Sequence, residues 1–341
     1  MIRFIKHKRI TAILLYIVFL CNFITPVYAA DSKTERAADY KMISAAIEDV
    51  SGQLMKKSAQ PKPGSVGGEW LILGLARSGV KVPDSYYKSY YNALQNSVKQ
   101  KKGVLHQRKY SEYSRTILAL TAIGKNPANV GGYNLLAPLG DYKAVVQQGL
   151  NGAVFALLAL DSGDYKMPVN KSAKVKATRN LYVNYILGKE LSGGGWAVSG
   201  TSADADMTAM VLQALAPYRD NKKVNAAVDR GIKKLSAMQN SQGGFTAYGV
   251  TSCESAAQVL VALTALGIDW NDARFVKNQN SVVDYLMRHY QKGQGFTHTV
   301  GGKVDAMATE QALYAMAAAK RFHIGANSLY DMTAEPANVK K

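Results

Sequence analysis

Leu260-Val261-Ala262-Leu263 is one copy of a pattern that returns along the chain. The other copies are Ile72-Leu73-Gly74-Leu75, Ile117-Leu118-Ala119-Leu120, Val154-Phe155-Ala156-Leu157, Leu212-Gln213-Ala214-Leu215 and Leu313-Tyr314-Ala315-Met316. Counted at the last residue of each copy, the gaps are 45, 37, 58, 48 and 53 residues. Periods of this length mark stacked helix pairs. Each copy lies in a run of small and apolar residues, and a helix without a polar face has to be buried on most sides. Each gap holds a further, more polar helix, such as Val224 to Met238 and Ser281 to Tyr290. The pattern therefore predicts an all-α fold, with inner and outer helices in two concentric layers. An open solenoid is the competing arrangement, and it would expose the alanine-rich inner faces.

A second repeat joins the layers. Arg230-Gly231 leads through Leu235 and Gln239 to Gly243-Gly244-Phe245. The same span runs from Ile186 through Glu190 to Gly194-Gly195-Trp196, and from Leu286 through Tyr290 to Gly295-Phe296. Glycines close the outer helix with backbone angles that other residues resist. The aromatic then folds back as a plug between neighbouring pairs, and Gln239 is expected to bond the exposed end of the next helix.

The N-terminus reads as an export signal over residues 1–30. Arg3, Lys6, Lys8 and Arg9 form a basic head, Ile10 to Ile24 an apolar run, and Ala29-Ala30 a small-residue cleavage site. The run is too short to span a membrane and stay there. Cleavage near Ala29-Ala30 makes the mature chain secreted or envelope-associated, with one toroid domain over residues 31–331 and a polar tail over 332–341. Its net charge falls from +18 to about +14. Such a basic surface suits anionic cell-wall polymer or lipid head groups. No nucleic-acid motif is present, and a monomer is expected. Cys21 leaves with the signal, so Cys253 has no partner for an internal disulfide.

The span from Arg230 to Phe245 resembles the QW repeat of squalene-hopene-type cyclases. Gly194-Gly195-Trp196, followed by Asp204-Ala205-Asp206-Met207-Thr208-Ala209, resembles the site region of class II terpenoid cyclases. Gly131-Gly132-Tyr133, Gln148-Gly149-Leu150 and Ala308-Thr309-Glu310-Gln311-Ala312 are similar to secreted bacterial prenyltransferase-like toroid proteins. The resemblance covers the whole mature chain. It implies an α6/α6 toroid of the terpenoid cyclase and protein prenyltransferase superfamily, with a central cavity. Members differ in activity, so the fold does not fix the function.

By matching position, the resemblance makes Asp206 the proton donor and Asp204 its partner. That chemistry needs a carboxylic acid kept protonated by burial and a second acid. Met207 stands where the cyclase motif has a further Asp. Both acids also fall at an expected inner-helix start, where carboxylates cap free N–H groups and favour the dipole. Prenyltransferases hold zinc through Asp, Cys and His, but Thr251 stands where the Asp belongs. Cys253 and His298 would then need Asp305 or Glu254 as a third ligand, so neither a metal nor a cofactor is expected. Thr251 and Glu254 have capping-box spacing. Trp70, Tyr248, Cys253, Glu254, His298 and Asp305 are the candidate ligand-binding residues; Trp70 and Tyr248 fall near the ends of repeats, Cys253 begins an expected inner helix and His298 lies before the next. Three functions follow. The first is a secreted protein holding a small, largely apolar ligand, isoprenoid- or corrinoid-like, in the cavity. The others are a class II cyclase-type enzyme and a cell-surface scaffold.

Overall fold

The computed structural model describes residues 36–333; the expected signal peptide and residues 334–341 of the expected tail lie outside the described residues. In chain order the α-helices are α1 (36–57), α2 (Trp70–Ser78), α3 (Asp84–Gln100), α4 (Ser111–Ala122), α5 (Tyr142–Val146) and α6 (Leu150–Ser162). They continue with α7 (Arg179–Leu187), α8 (Ala205–Leu215), α9 (Lys222–Met238), α10 (Cys253–Ala265), α11 (Val282–Met287) and α12 (Ala306–His323). Residues 36–42 contribute only the opening of α1, and residues 43–333 form the unit that carries the fold.

All the repeat copies fall on even-numbered helices. These pack in sequence, α2 on α4, α4 on α6, α6 on α8, α8 on α10 and α10 on α12, and α12 packs back on α2. That last contact closes the inner ring, so the fold is an α/α toroid and not an open solenoid. Gly74 permits the closure: a Cβ there would stand 3.1 Å from Leu313 Cδ2. The outer helices α5, α7, α9 and α11 each pack on an inner helix. Asp49 of α1 accepts hydrogen bonds from the Tyr290 hydroxyl (2.6 Å) and the Gly293 N–H (2.7 Å), tying the first outer helix to the last outer turn.

The Gly-aromatic turns work as plugs. Trp196, Phe245 and Phe296 are fully buried. The Trp196 indole donates to the Ile186 carbonyl at 2.9 Å, which satisfies its one polar group. Each aromatic's carbonyl accepts the N–H of the residue that caps the next inner helix: Asp204 donates to Trp196, Ser252 to Phe245 and Asp305 to Phe296. Three details differ from expectation. Gln239 donates to the Gly243 carbonyl of its own turn (3.0 Å), because the tight turn brings that acceptor nearer than the next helix. Ser252, not Thr251, caps α10, since Thr251 is paired in a short hairpin. In that hairpin β1 (Thr246–Ala247) and β2 (Val250–Thr251) are joined by Tyr248-Gly249, both at positive φ, as a type I′ turn requires. The Ser281 to Tyr290 helix is shorter than expected: α11 stops at Met287, and Tyr290 enters β3 (Tyr290–Gln291), which pairs with β4 (Gly295–Phe296).

Candidate functional site

The inner helices are buried over most of their length, and a few positions near their starts stay open. On α8 the half-buried positions are Asp206 and Met210; on α10 they are Glu254 and Gln258 near the start; on α6, Asn151 and Phe155. On α12 the same spacing gives Met307 and Gln311. Residues four apart share a helix face. The outer layer covers the opposite faces, so these stripes line the axis of the ring.

At mid-height the stripes are joined by hydrogen bonds. Gln213 Nε2 donates to the Gln258 carbonyl (2.9 Å) and to Gln258 Oε1 (3.1 Å). Gln258 Nε2 donates to the Tyr314 hydroxyl (2.6 Å) and to Gln311 Oε1 (3.2 Å), and the Tyr314 hydroxyl donates to Gln311 Oε1 (3.0 Å). The Tyr314 ring lies tilted against Trp70 at 5.8 Å, and Trp70 meets Phe155 at 5.9 Å. Amides and aromatics from α8, α10, α12, α2 and α6 therefore form one layer across the ring.

Toward the inner-helix starts the lining is acidic. Asp206 sits in the first turn of α8, with Oδ1 buried and without a hydrogen-bond partner. Burial pushes its carboxyl up to about 6; the Ser255 hydroxyl pulls the other way, and the charges of Asp204 and Glu254 push further up. Glu310 is pushed up to about 7, again mainly by burial, with Glu69 and Asp305 adding repulsion. Its Oε1 accepts the Gly67 N–H at 2.7 Å, while Oε2 is buried and unpaired. Glu69 is buried as well. It accepts from Arg115 Nε (3.0 Å), the Tyr90 hydroxyl (3.1 Å) and the Gly64 N–H. Arg115 reaches Glu112 with its other nitrogens, so its charge is shared between two carboxylates.

The structure brings the sequence candidates to this one end. Asp204 caps α8 by accepting the Met207 N–H at 2.7 Å, so its first role is the capping one. Asp305 caps α12 through the Ala308 N–H at 2.9 Å. His298 Nδ1 lies 2.8 Å from Glu254 Oε2. Tyr248 is exposed at the tip of its turn, within electrostatic reach of Asp204 and Asp206. Trp70 belongs to the aromatic layer. Cys253 is placed differently: it is fully buried, with its thiol 3.8 Å from the Ala308 carbonyl, and burial pushes the thiol well up. A neutral thiol packed between α10 and α12 is a core group. Gln213, Gln258, Phe155, Tyr314 and the Glu69–Arg115 pair were not among the sequence candidates. The signal for the glutamines was present, as polar islands four or seven residues from Asp206 and Glu254.

No protein-family model matches the chain, and no curated protein matches it. Among solved structures the fold is similar to unsaturated glucuronyl hydrolase, responsible for glycosaminoglycan degradation, from Bacillus sp. GL1. The TM-score is 0.54 at 12% identity, over 87% of this chain and 100% of that one. A variant named UGL with dGlcA-Glc-Rha-Glc gives 0.51 at 10% identity, with the same coverage. At such identities the likeness shows the fold alone, an α/α toroid. The narrower likeness to terpenoid cyclases rests on the sequence motifs alone.

Proposed function

We propose that this chain is an exported enzyme that works by general-acid catalysis on a hydroxyl-rich substrate, a glycan, with Asp206 as the proton donor. The observation that carries this reading is the half-buried Asp206 carboxyl, with Oδ1 buried and unpaired and its pKa raised to about 6. A general acid performs best with a pKa near the working pH. The layer of Gln213, Gln258, Gln311 and Tyr314 supplies donors and acceptors suited to sugar hydroxyls, and Trp70 supplies an aromatic face. The solved neighbours act on glycans. Their acidic sugar is not carried over, because Asp204, Asp206, Glu254 and Glu310 crowd this end and Arg115 is already shared by two carboxylates. A neutral or amino sugar suits such a field better. Export follows from the N-terminal sequence, and the basic charge would hold the protein near anionic envelope polymer.

A second reading keeps the apolar ligand. Phe155, Met210 and Trp70 give the axis an apolar side, and a cyclase-type enzyme would use the same Asp206. One panel separates the readings: neutral, amino and unsaturated glucuronyl oligosaccharides beside squalene and polyprenols, with products read by mass spectrometry. Cleavage of a glycan, reduced about 10²–10⁴-fold in Asp206→Asn, is expected. Equal turnover by both proteins removes Asp206 from the role. Cyclised squalene with untouched glycans favours the cyclase, and an apolar ligand retained without turnover favours the binding protein.

A further inference from the structure

We propose that a cavity at the opposite end of the ring from Asp206 binds a small organic cation with an apolar body, of the alkylammonium class. The cavity lies where α6, α8 and α10 end, and the segment 328–333 forms its wall. Its volume is about 600 Å³, within the range of small-ligand sites. Leu158, Ala214, Val261 and Ala265 give it an apolar floor. The wall is held in place by Arg77, buried in α2, which donates to the carbonyls of Leu329 (3.0 Å), Ser328 (2.9 Å) and Asp331 (2.8 Å). A site so fixed is formed before any ligand arrives.

The polar groups left free are acceptors. Arg179 is taken up by Asp161 (2.7 Å) and by the carbonyls of Leu160 and Tyr165. The second oxygen of Asp161 accepts the Tyr218 hydroxyl at 2.7 Å. Gln213 also lines the cavity and is only 4% exposed; its nitrogen is committed to Gln258, while its oxygen accepts no hydrogen bond among the described residues. Asp164, exposed at the rim, accepts none either. Asp331 uses Oδ1 for the Thr333 N–H and hydroxyl, which leaves Oδ2. Among the described residues Arg179 is the cavity's one cation and feels the charge of Asp164 as well as Asp161, so three carboxylates outnumber it by two, and with the amide oxygen they call for a ligand that donates and carries positive charge. The Tyr218 and Tyr330 rings add faces that attract cations. This acidity stands out in a chain of net charge +18.

The test is calorimetric titration of the exported chain at low salt with n-hexylammonium, and with 1-hexanol as its neutral counterpart. Saturable one-to-one binding of the amine is expected, with the alcohol about tenfold weaker. Asp164→Asn with Asp331→Asn, which keeps the turn-forming oxygen and suits the positive φ at residue 164, should weaken the amine about tenfold. Ala265→Phe should abolish binding by filling the floor; if that variant fails to fold, the double Asn variant decides. No saturable binding, equal affinity for amine and alcohol, or binding unchanged in the double variant would overturn the proposal. Asp206→Asn should bind the amine as the parent does, so failure of the glycan reading leaves this result standing.

Discussion

Asp206 and Glu310 are both acids raised by burial, but the structure gives them different partners. Asp206 has a free oxygen beside the axis, whereas Glu310 holds the Gly67 N–H and steadies the glycine-rich segment before α2. With Asp206 as the donor, turnover should fall as pH rises through about 6, where the acid loses its proton. A rate that rises across that range would remove Asp206 as the acid. Glu310 makes a separate prediction about stability. Its folded value, about 7, lies above its ordinary 4.5, so the folded state binds more protons between those limits. The stabilisation is complete below about 4.5 and is lost as pH rises through about 7. Gln at this position keeps the acceptor for Gly67 and removes the charge. Urea unfolding should therefore show Glu310→Gln gaining on the parent from acid to neutral pH, on the order of 1–3 kcal/mol. A constant difference would mean that Glu310 titrates normally.

At the scale of the element, the inner helices were legible because burial on all sides leaves a run of small apolar residues. The outer helices were less so: α5 and α11 are short, and their sequence pattern does not show where a turn takes over. Of the two acids read as caps, Asp204 is the cap of α8 and Asp206 sits in its first turn, while Asp305, read as a ligand candidate, caps α12. What could not be read was the partner of each side chain on the neighbouring helix. Glu69 and Arg115 lie 46 positions apart, and no local pattern joins them. Nor does any local pattern show that the amides of Gln213, Gln258 and Gln311 meet. Ring closure gives a direct prediction. Gly74→Leu would drive a large side chain into Leu313 and should cost about 3 kcal/mol in urea unfolding, since overpacking forces neighbours off their rotamers. An unchanged midpoint would mean that α2 and α12 do not close the ring in solution.

The whole ring explains why the candidates converge. Every inner helix starts at the same end, so caps, first-turn acids and plug turns gather there whatever the function. The chemistry is set by what stands behind them: an acid with one unpaired oxygen, a layer of amides and a tryptophan face. The sequence repeat carries the toroid, while the comparisons reach only as far as that fold. The most direct test of the glycan reading is turnover of the oligosaccharide panel by the protein and by Asp206→Asn, followed from about pH 5 to 8. A glycan product that declines above about pH 6 in the parent and is nearly absent in the variant is the predicted result. A glycan product formed equally by both proteins, or turnover of squalene alone, would contradict it.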